Sequence, residues 1–189
     1  LKQLKEKTKV PLIISQSSYA ASGGYFISLA GDYIMAEPMT ITGSIGVFGG
    51  KMVFEKLWKK LEINWGQITL GDNAGILSSN HKFSTSEKKI FNQSLDEVYQ
   101  DFTAKVAENR KLTQPMDKIA RGRVWTGRQA LNLGLVDAMG GYLEALSKAI
   151  ELGKIKRNQN IRIVSFPKAK TLSEKIGDLI ANTGSVKAE

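Results

Sequence analysis

The feature that most constrains the fold lies between Val10 and Glu37. "VPLIIS" is a short apolar run with polar flanks, which reads as a buried strand. "GGYFISLA" switches to helical spacing until Gly31 and Asp32 stop it, and "YIMAE" is a second strand ended by Pro38. Ahead of this unit, Leu1 to Lys9 reads as the end of a charged helix. Behind it, "TITGSIGVFGG" combines glycines with β-branched residues, as in a turn and strand whose backbone passes close to something. "KMVFEKLWKKL" places Val53, Leu57, Trp58 and Leu61 on one helical face, and "INWGQITL" follows as a further strand. Alternation of strand and helix predicts an α/β core.

From Ser84 the pattern becomes helical. Ser84 and Glu87 form a capping-box signature, and Ile90, Phe91, Leu95, Val98, Phe102 and Val106 form an apolar stripe of the kind that packs in a core. Three shorter helices are expected after it, separated by Gly122, Gly127 and the Gly140-Gly141 pair, with Val136 and Asp137 in a connecting segment. "NIRIVSFP" reads as a late strand, and "LSEKIGDLIANTGS" as a weakly amphipathic tail helix. With 189 residues, 42% hydrophobic and 24% charged, the chain can bury one sizeable core. The expected division is a domain over residues 1–155 and a late strand with a tail over 156–189.

Composition narrows the function classes. The net charge of +9 comes from lysines interleaved with acids, which reads as a solvated basic surface, so no nucleic-acid partner is expected. Zero cysteines exclude disulfides and thiolate metal sites, and one histidine leaves no metal-ligand cluster, so neither metal nor cofactor is expected. "GGYFISLAG" lacks the spacing of a phosphate cradle. His81, in "SSNHKF", reads as a surface residue rather than a catalytic one. No apolar run approaches a membrane span, and the start "LKQLKEKTKV" has no Met, which reads as a segment whose anchor lies outside it.

"QSSYAASGGYFISLAGD" sets Ser22 at a strand-to-helix junction between small residues. One reading makes Ser22 the cap of the following helix. The other makes it a nucleophile, with Ala20, Ala21, Gly23 and Gly24 permitting a sharp turn and the Gly23 N–H serving as an oxyanion donor.

The longer stretch "YAASGGYFISLAGDYIMAEPMTITGSIGV" resembles the signal peptide peptidase A family of serine peptidases, as does "ARGRVWTGRQALNLGLVDAMGG" further on. The resemblance covers roughly residues 1–155. It implies a ClpP/crotonase-like fold of repeated strand-strand-helix units with a helical C-terminal part, a ring-like homo-oligomer, and hydrolysis of remnant signal peptides and other hydrophobic peptides. It implies Ser22 as nucleophile, a lysine as general base and Ser44 of "TGS" as the group orienting that lysine. It also implies an address at the bacterial inner membrane, with the catalytic domain on the extracytoplasmic side. Short family members carry the lysine in a segment that corresponds here to "ITLGDNAG", where the matching position is Ala74. A methyl group accepts no proton, so the base is expected from the N-terminal module of a long two-module form or from a neighbouring subunit. The alternatives are a Lys-to-Ala inactivated short form and a non-catalytic half that only shapes the oligomer. The family's S-P-G-G-S turn, a further oxyanion donor, is also expected outside these residues, so the segment alone should be nearly inactive. Lys51 and Lys82 are the substitute bases within the chain. A crotonase-like reaction on a CoA thioester lacks an evident acid/base carboxylate beside Ser22.

Overall fold

The computed structural model describes residues 1–156, 159–167 and 173. The chain divides into two compact units, Leu1–Lys154 and Ile155–Glu189. In the first, helix α1 (Lys2–Thr8) leads into strands β1 (Ile13–Gln16) and β2 (Tyr19–Ala21), helix α2 (Gly23–Ser28), and strands β3 (Tyr33–Ala36) and β4 (Ile41–Gly43). Helix α3 (Glu55–Lys60), the long α4 (Thr85–Arg110) and a 3-10 turn at Met116–Lys118 follow. Strand β5 (Val124–Thr126), helix α5 (Gly127–Asn132), strand β6 (Ala138–Met139) and helix α6 (Tyr142–Leu152) complete it.

Two three-stranded sheets carry the fold. One is parallel, in the order β1-β3-β6, with Ile14 opposite Ile34 and Met35 opposite Ala138. The other is mixed: β2 runs parallel to β4 with Ala21 opposite Gly43, and β4 runs antiparallel to β5 with Gly43 opposite Val124. Parallel strands need a crossover connection, and the one between the parallel neighbours β1 and β3 runs through β2 and α2. The α/β expectation therefore holds.

The core gathers Tyr25 and Leu29 from α2, Ile34 and Ala36 from β3, Phe102 and Val106 from α4, Ala130 from α5, and Leu135 and Val136 before β6. Tyr25 is fully buried, and its phenol donates to the Leu135 carbonyl at 2.7 Å. Asp137 accepts from the Ile34 N–H at 2.7 Å and holds the Arg110 guanidinium through two bonds of 3.0 and 2.6 Å. The serine-bearing stretch and the distant "GLVD" segment are thus joined in the interior.

Several expected elements differ. Residues 63–70 form no strand: among the described residues no neighbour pairs with them, and Ile68 and Leu70 are fully exposed. Residues 160–167, in the second unit, likewise form no strand, with Ile161, Ile163 and Val164 about half exposed. The helix expected over 51–61 is shorter, and α3 buries no residue. The stripe on α4 is core only where Phe102 and Val106 meet the sheet side, and Ile90 and Val98 are exposed. In place of three helices after α4 there is one 3-10 turn and two helices, with β5 and β6 between them. Three-residue and two-residue strands are too short to show a period-2 pattern. Apart from Ser173, the tail helix lies outside the described residues.

Candidate active site at the β2–α2 junction

β2 ends at Ala21 and α2 begins at Gly23, so Ser22 turns the chain between them. Its backbone sits at φ 53°, ψ −117°, a region that L-residues rarely occupy. Such a conformation costs on the order of 1–3 kcal/mol and persists only when the surroundings over-determine it. Here Ser22 N–H donates to the Gly43 carbonyl at 2.8 Å, and the Phe26 N–H donates to the Ser22 carbonyl at 2.8 Å. Ser22 occupies the helix N-cap position, yet its hydroxyl makes no capping bond. The capping role is therefore absent, and among the described residues the hydroxyl is left uncommitted at a half-buried position.

The bond from Ser22 to Gly43 sets Ser22 beside the "TGS" turn. Gly43 has φ 73° and Ser44 has φ 49°, and Ser44 N–H donates to the Arg123 carbonyl at 2.8 Å. Gly43 has no room for a side chain, because a Cβ there would lie 2.7 Å from Trp125 Cδ1. Thr42 is buried, and its hydroxyl donates to the Ala20 carbonyl at 2.9 Å, tying β4 to β2 one residue ahead of the turn. Gly23 and Gly24 are different. A Cβ at either would meet nothing within 4 Å, so the space they keep open faces outward. The first N–H groups of a helix have no intrahelical acceptor, which leaves the Gly23 N–H available to a ligand.

A groove of about 370 Å³ opens beside Ser22, lined by Ser22, Gly23, Phe26, Gly46, Val47, Phe48, Val98, Asp101 and Phe102. Phe26 and Phe102 pack edge to face with centroids 5.1 Å apart and form its aromatic wall. Ser22 and Gly23 stand out in the sequence, but these walls do not. Val98 and Phe102 belong to the stripe expected to be core, and the even spacing of that stripe does not reveal which of its turns faces a groove.

Beyond β4 the chain runs along α4 towards the start of that helix. Phe48 shares the groove with Val98, Gly49 packs against Phe91 and Leu95, and Lys51 Nζ lies 4.5 Å from the Phe83 ring centroid. Lys51 Nζ is buried without a hydrogen-bond partner among the described residues. Phe83 immediately precedes the N-cap Ser84, and the helix from there to Val98 measures about 20 Å at roughly 1.5 Å per residue. Lys51 and Lys82 therefore sit at the far end of α4 from Ser22. His81 is at that end too: its Nδ1 lies 2.8 Å from the Lys82 carbonyl and 3.8 Å from Glu87. Ala74 lies exposed in a turn, its N–H donating to the Gly71 carbonyl at 3.3 Å, and does not line the groove.

Two other groups bear on the frame. Burial pushes the Tyr25 phenol far above its ordinary value, with Arg110 opposing and Asp137 adding to the rise, so the phenol remains a donor to Leu135. Asp32 accepts from the Leu12 N–H at 2.9 Å and pairs with Lys5 at 2.5 Å. Partial burial raises its pKa, but the Leu12 bond and the bond and charge of Lys5 together hold it below the ordinary value.

These features define an α/β protein with a strand–helix serine at the mouth of an apolar groove. The chain belongs to peptidase family S49, whose description it matches over residues 4–156. It is similar to "Serine protease SPPA, chloroplastic" of Arabidopsis thaliana, 35% identical over 185 residues that make up 97% of this chain and 27% of that protein. It is similar also to "Protease 4" of Salmonella typhi, 38% identical over 148 residues, 78% of this chain and 24% of that protein. The chain thus spans about a quarter of the length of these relatives. A solved enoyl-CoA hydratase/isomerase family protein from Hyphomonas neptunium aligns with TM-score 0.41 and 18% identity over 82% of this chain and 42% of that one, too distant to define the fold. Among the described residues no helix is long and apolar enough to cross a membrane.

Proposed function

We propose that this chain is the serine-bearing module of a signal peptide peptidase A-type enzyme, built on a ClpP/crotonase-like fold, that hydrolyses peptide bonds through a serine/lysine dyad. Ser22 Oγ attacks the scissile carbonyl carbon, and its proton passes to the neutral amine of a lysine supplied by another module or subunit. The carbonyl oxygen becomes an oxyanion that the Gly23 N–H receives as one donor. The lysine then returns the proton to the leaving amine, and water releases the acyl group by the same route. Ser44, one residue beyond the carbonyl that holds Ser22, orients the lysine.

The single observation that carries this reading is the Ser22 hydroxyl itself, uncommitted in a strained backbone at the edge of an apolar groove. The far-end positions of Lys51 and Lys82 support a base from elsewhere. A substrate strand would lie along residues 46–50, whose N–H groups donate to no backbone carbonyl among the described residues, and would set apolar side chains between Phe26, Val98 and Phe102. Remnant signal peptides and other hydrophobic peptides fit such a groove, with the module on the extracytoplasmic face of a bacterial inner membrane.

Fluorophosphonate labelling followed by peptide mapping tests the reading. In the assembled parent protein the adduct is expected on Ser22, and it should vanish when the contributed lysine becomes alanine. Ala74 favours a second reading, a half that only shapes the assembly. Absence of labelling in the assembled parent would select that reading.

A further inference from the structure

We infer that Asp101 is a specificity-determining residue of the Ser22 groove, receiving the cationic head of a lysine or arginine that borders the apolar run of a bound peptide. The inference rests on the proposal that this groove takes a hydrophobic peptide, and it adds a charge to that substrate class.

Three observations carry it. The first is sign. Among the described residues Asp101 is the one ionisable side chain lining the groove, whose larger walls are Phe26, Val47, Phe48, Val98 and Phe102. The chain carries a net charge of +9, so its surface as a whole repels a basic peptide, and the groove is a place where the sign turns locally. Lys51 and Lys82, on the arm between β4 and α4, sit near the start of α4, whereas Asp101 lies about four turns along it.

The second is position. Val98, Asp101, Phe102 and Lys105 follow one another at the i, i+3, i+4, i+7 spacing of a single helix face. Phe102 is buried against Phe26, while the Asp101 side chain is 56% exposed, so the carboxylate stands at the rim of an aromatic wall. A lysine or arginine suits such a rim because its apolar stem covers the rings while its head reaches out to the charge. A peptide's N-terminal ammonium has no stem to do this.

The third is exchange. Asp101 holds Lys105 Nζ at 2.5 Å, an exposed i,i+4 pair of a class that contributes little to stability. Lys105 has a second resting place, since its ammonium also lies 5.4 Å from the Phe26 ring centroid. It can release the carboxylate to another cation and remain on the ring. A substrate cation tethered to apolar residues already seated in the groove arrives at a high effective concentration and competes with it. Signal peptides carry a positively charged region ahead of their apolar run, so a remnant brings both features.

Fluorescence anisotropy on the assembled parent protein carrying Ser22→Ala tests the subsite independently of the chemistry. The probes are N-acetylated, C-terminally tagged peptides of alanine and leucine, about ten residues long, along which a single lysine, norleucine or glutamate is stepped. At one step, or at two on the same face of the extended peptide, lysine is expected to bind roughly two- to fivefold more tightly than norleucine, the range of an exposed ion pair. Asp101→Asn should erase that preference, and Asp101→Lys should turn it toward glutamate. Lys105→Met, which frees the carboxylate, should enlarge it. The preference is a ratio of two dissociation constants for one variant, so a general loss of affinity cancels. Lysine and norleucine equal at every step, a preference that survives Asp101→Asn, or one that shrinks in Lys105→Met would overturn the inference. So would an Asp101-dependent gain of affinity on removing the acetyl group from a peptide without lysine, which would assign the site to an N-terminal ammonium. Loss of Ser22 labelling in the unaltered parent, with the lysine preference intact, would leave the subsite standing and count against the proposed nucleophile alone.

Discussion

At Ser22 the structure separates two roles that the sequence leaves open. A capping serine would accept from the first turn of its helix, and Ser22 does not. Its positive φ predicts that Ser22→Gly, which adopts that backbone freely, stabilises the fold by about 1 kcal/mol while abolishing labelling, measured by thermal unfolding beside the fluorophosphonate assay. Gly43 should behave oppositely. With φ 73° and Trp125 only 2.7 Å from where a Cβ would lie, Gly43→Ala is expected to cost at least about 2 kcal/mol and to carry the Ser22 turn with it. Ala74→Lys in the isolated chain should leave labelling at background, because its turn does not line the groove. Labelling restored by that change would mark an inactivated short form.

Among the elements, α4 shows how far the sequence can be read. Its capping box is legible because reciprocal bonds between Ser84 and Glu87 depend on local spacing alone, and both are present at 3.1 and 2.8 Å. Ser84→Ala should lower stability by about 1 kcal/mol in chemical denaturation. Which turns of α4 are buried is not legible, since burial is decided by what the helix meets. The strand read at residues 63–70 illustrates the same limit: composition marks a segment that accepts a ladder but not whether the chain supplies the other side. β2, β5 and β6 escape a sequence reading because each is three residues or fewer, and their partners lie far away in sequence. The serine and its glycines are visible because a sharp backbone turn restricts residue type, while Phe26, Val98 and Phe102 line the groove only through tertiary packing.

Across the whole molecule, pH and integrity depend on a few long-range bonds. Asp32 has a lowered pKa in the folded state, so its link to Leu12 and Lys5 adds stability above the unfolded carboxylate value near 3.9 and loses it as pH falls through the folded value. Both side chains are about a third exposed, so solvent screens the effect. Asp32→Asn should lower the melting temperature slightly at pH 7, and the gap from wild type should close as the pH falls through the lowered folded value of Asp32. The bonds from Tyr25 to Leu135 and from Asp137 to Ile34 and Arg110 have a larger consequence. They fasten the segment ahead of the arm to the segment behind it, while the arm itself contributes no strand to either sheet. A protease that nicks the polypeptide near Leu70 should therefore yield two peptides that still elute as a single particle, like a molecule genetically split at that point and reassembled from its halves.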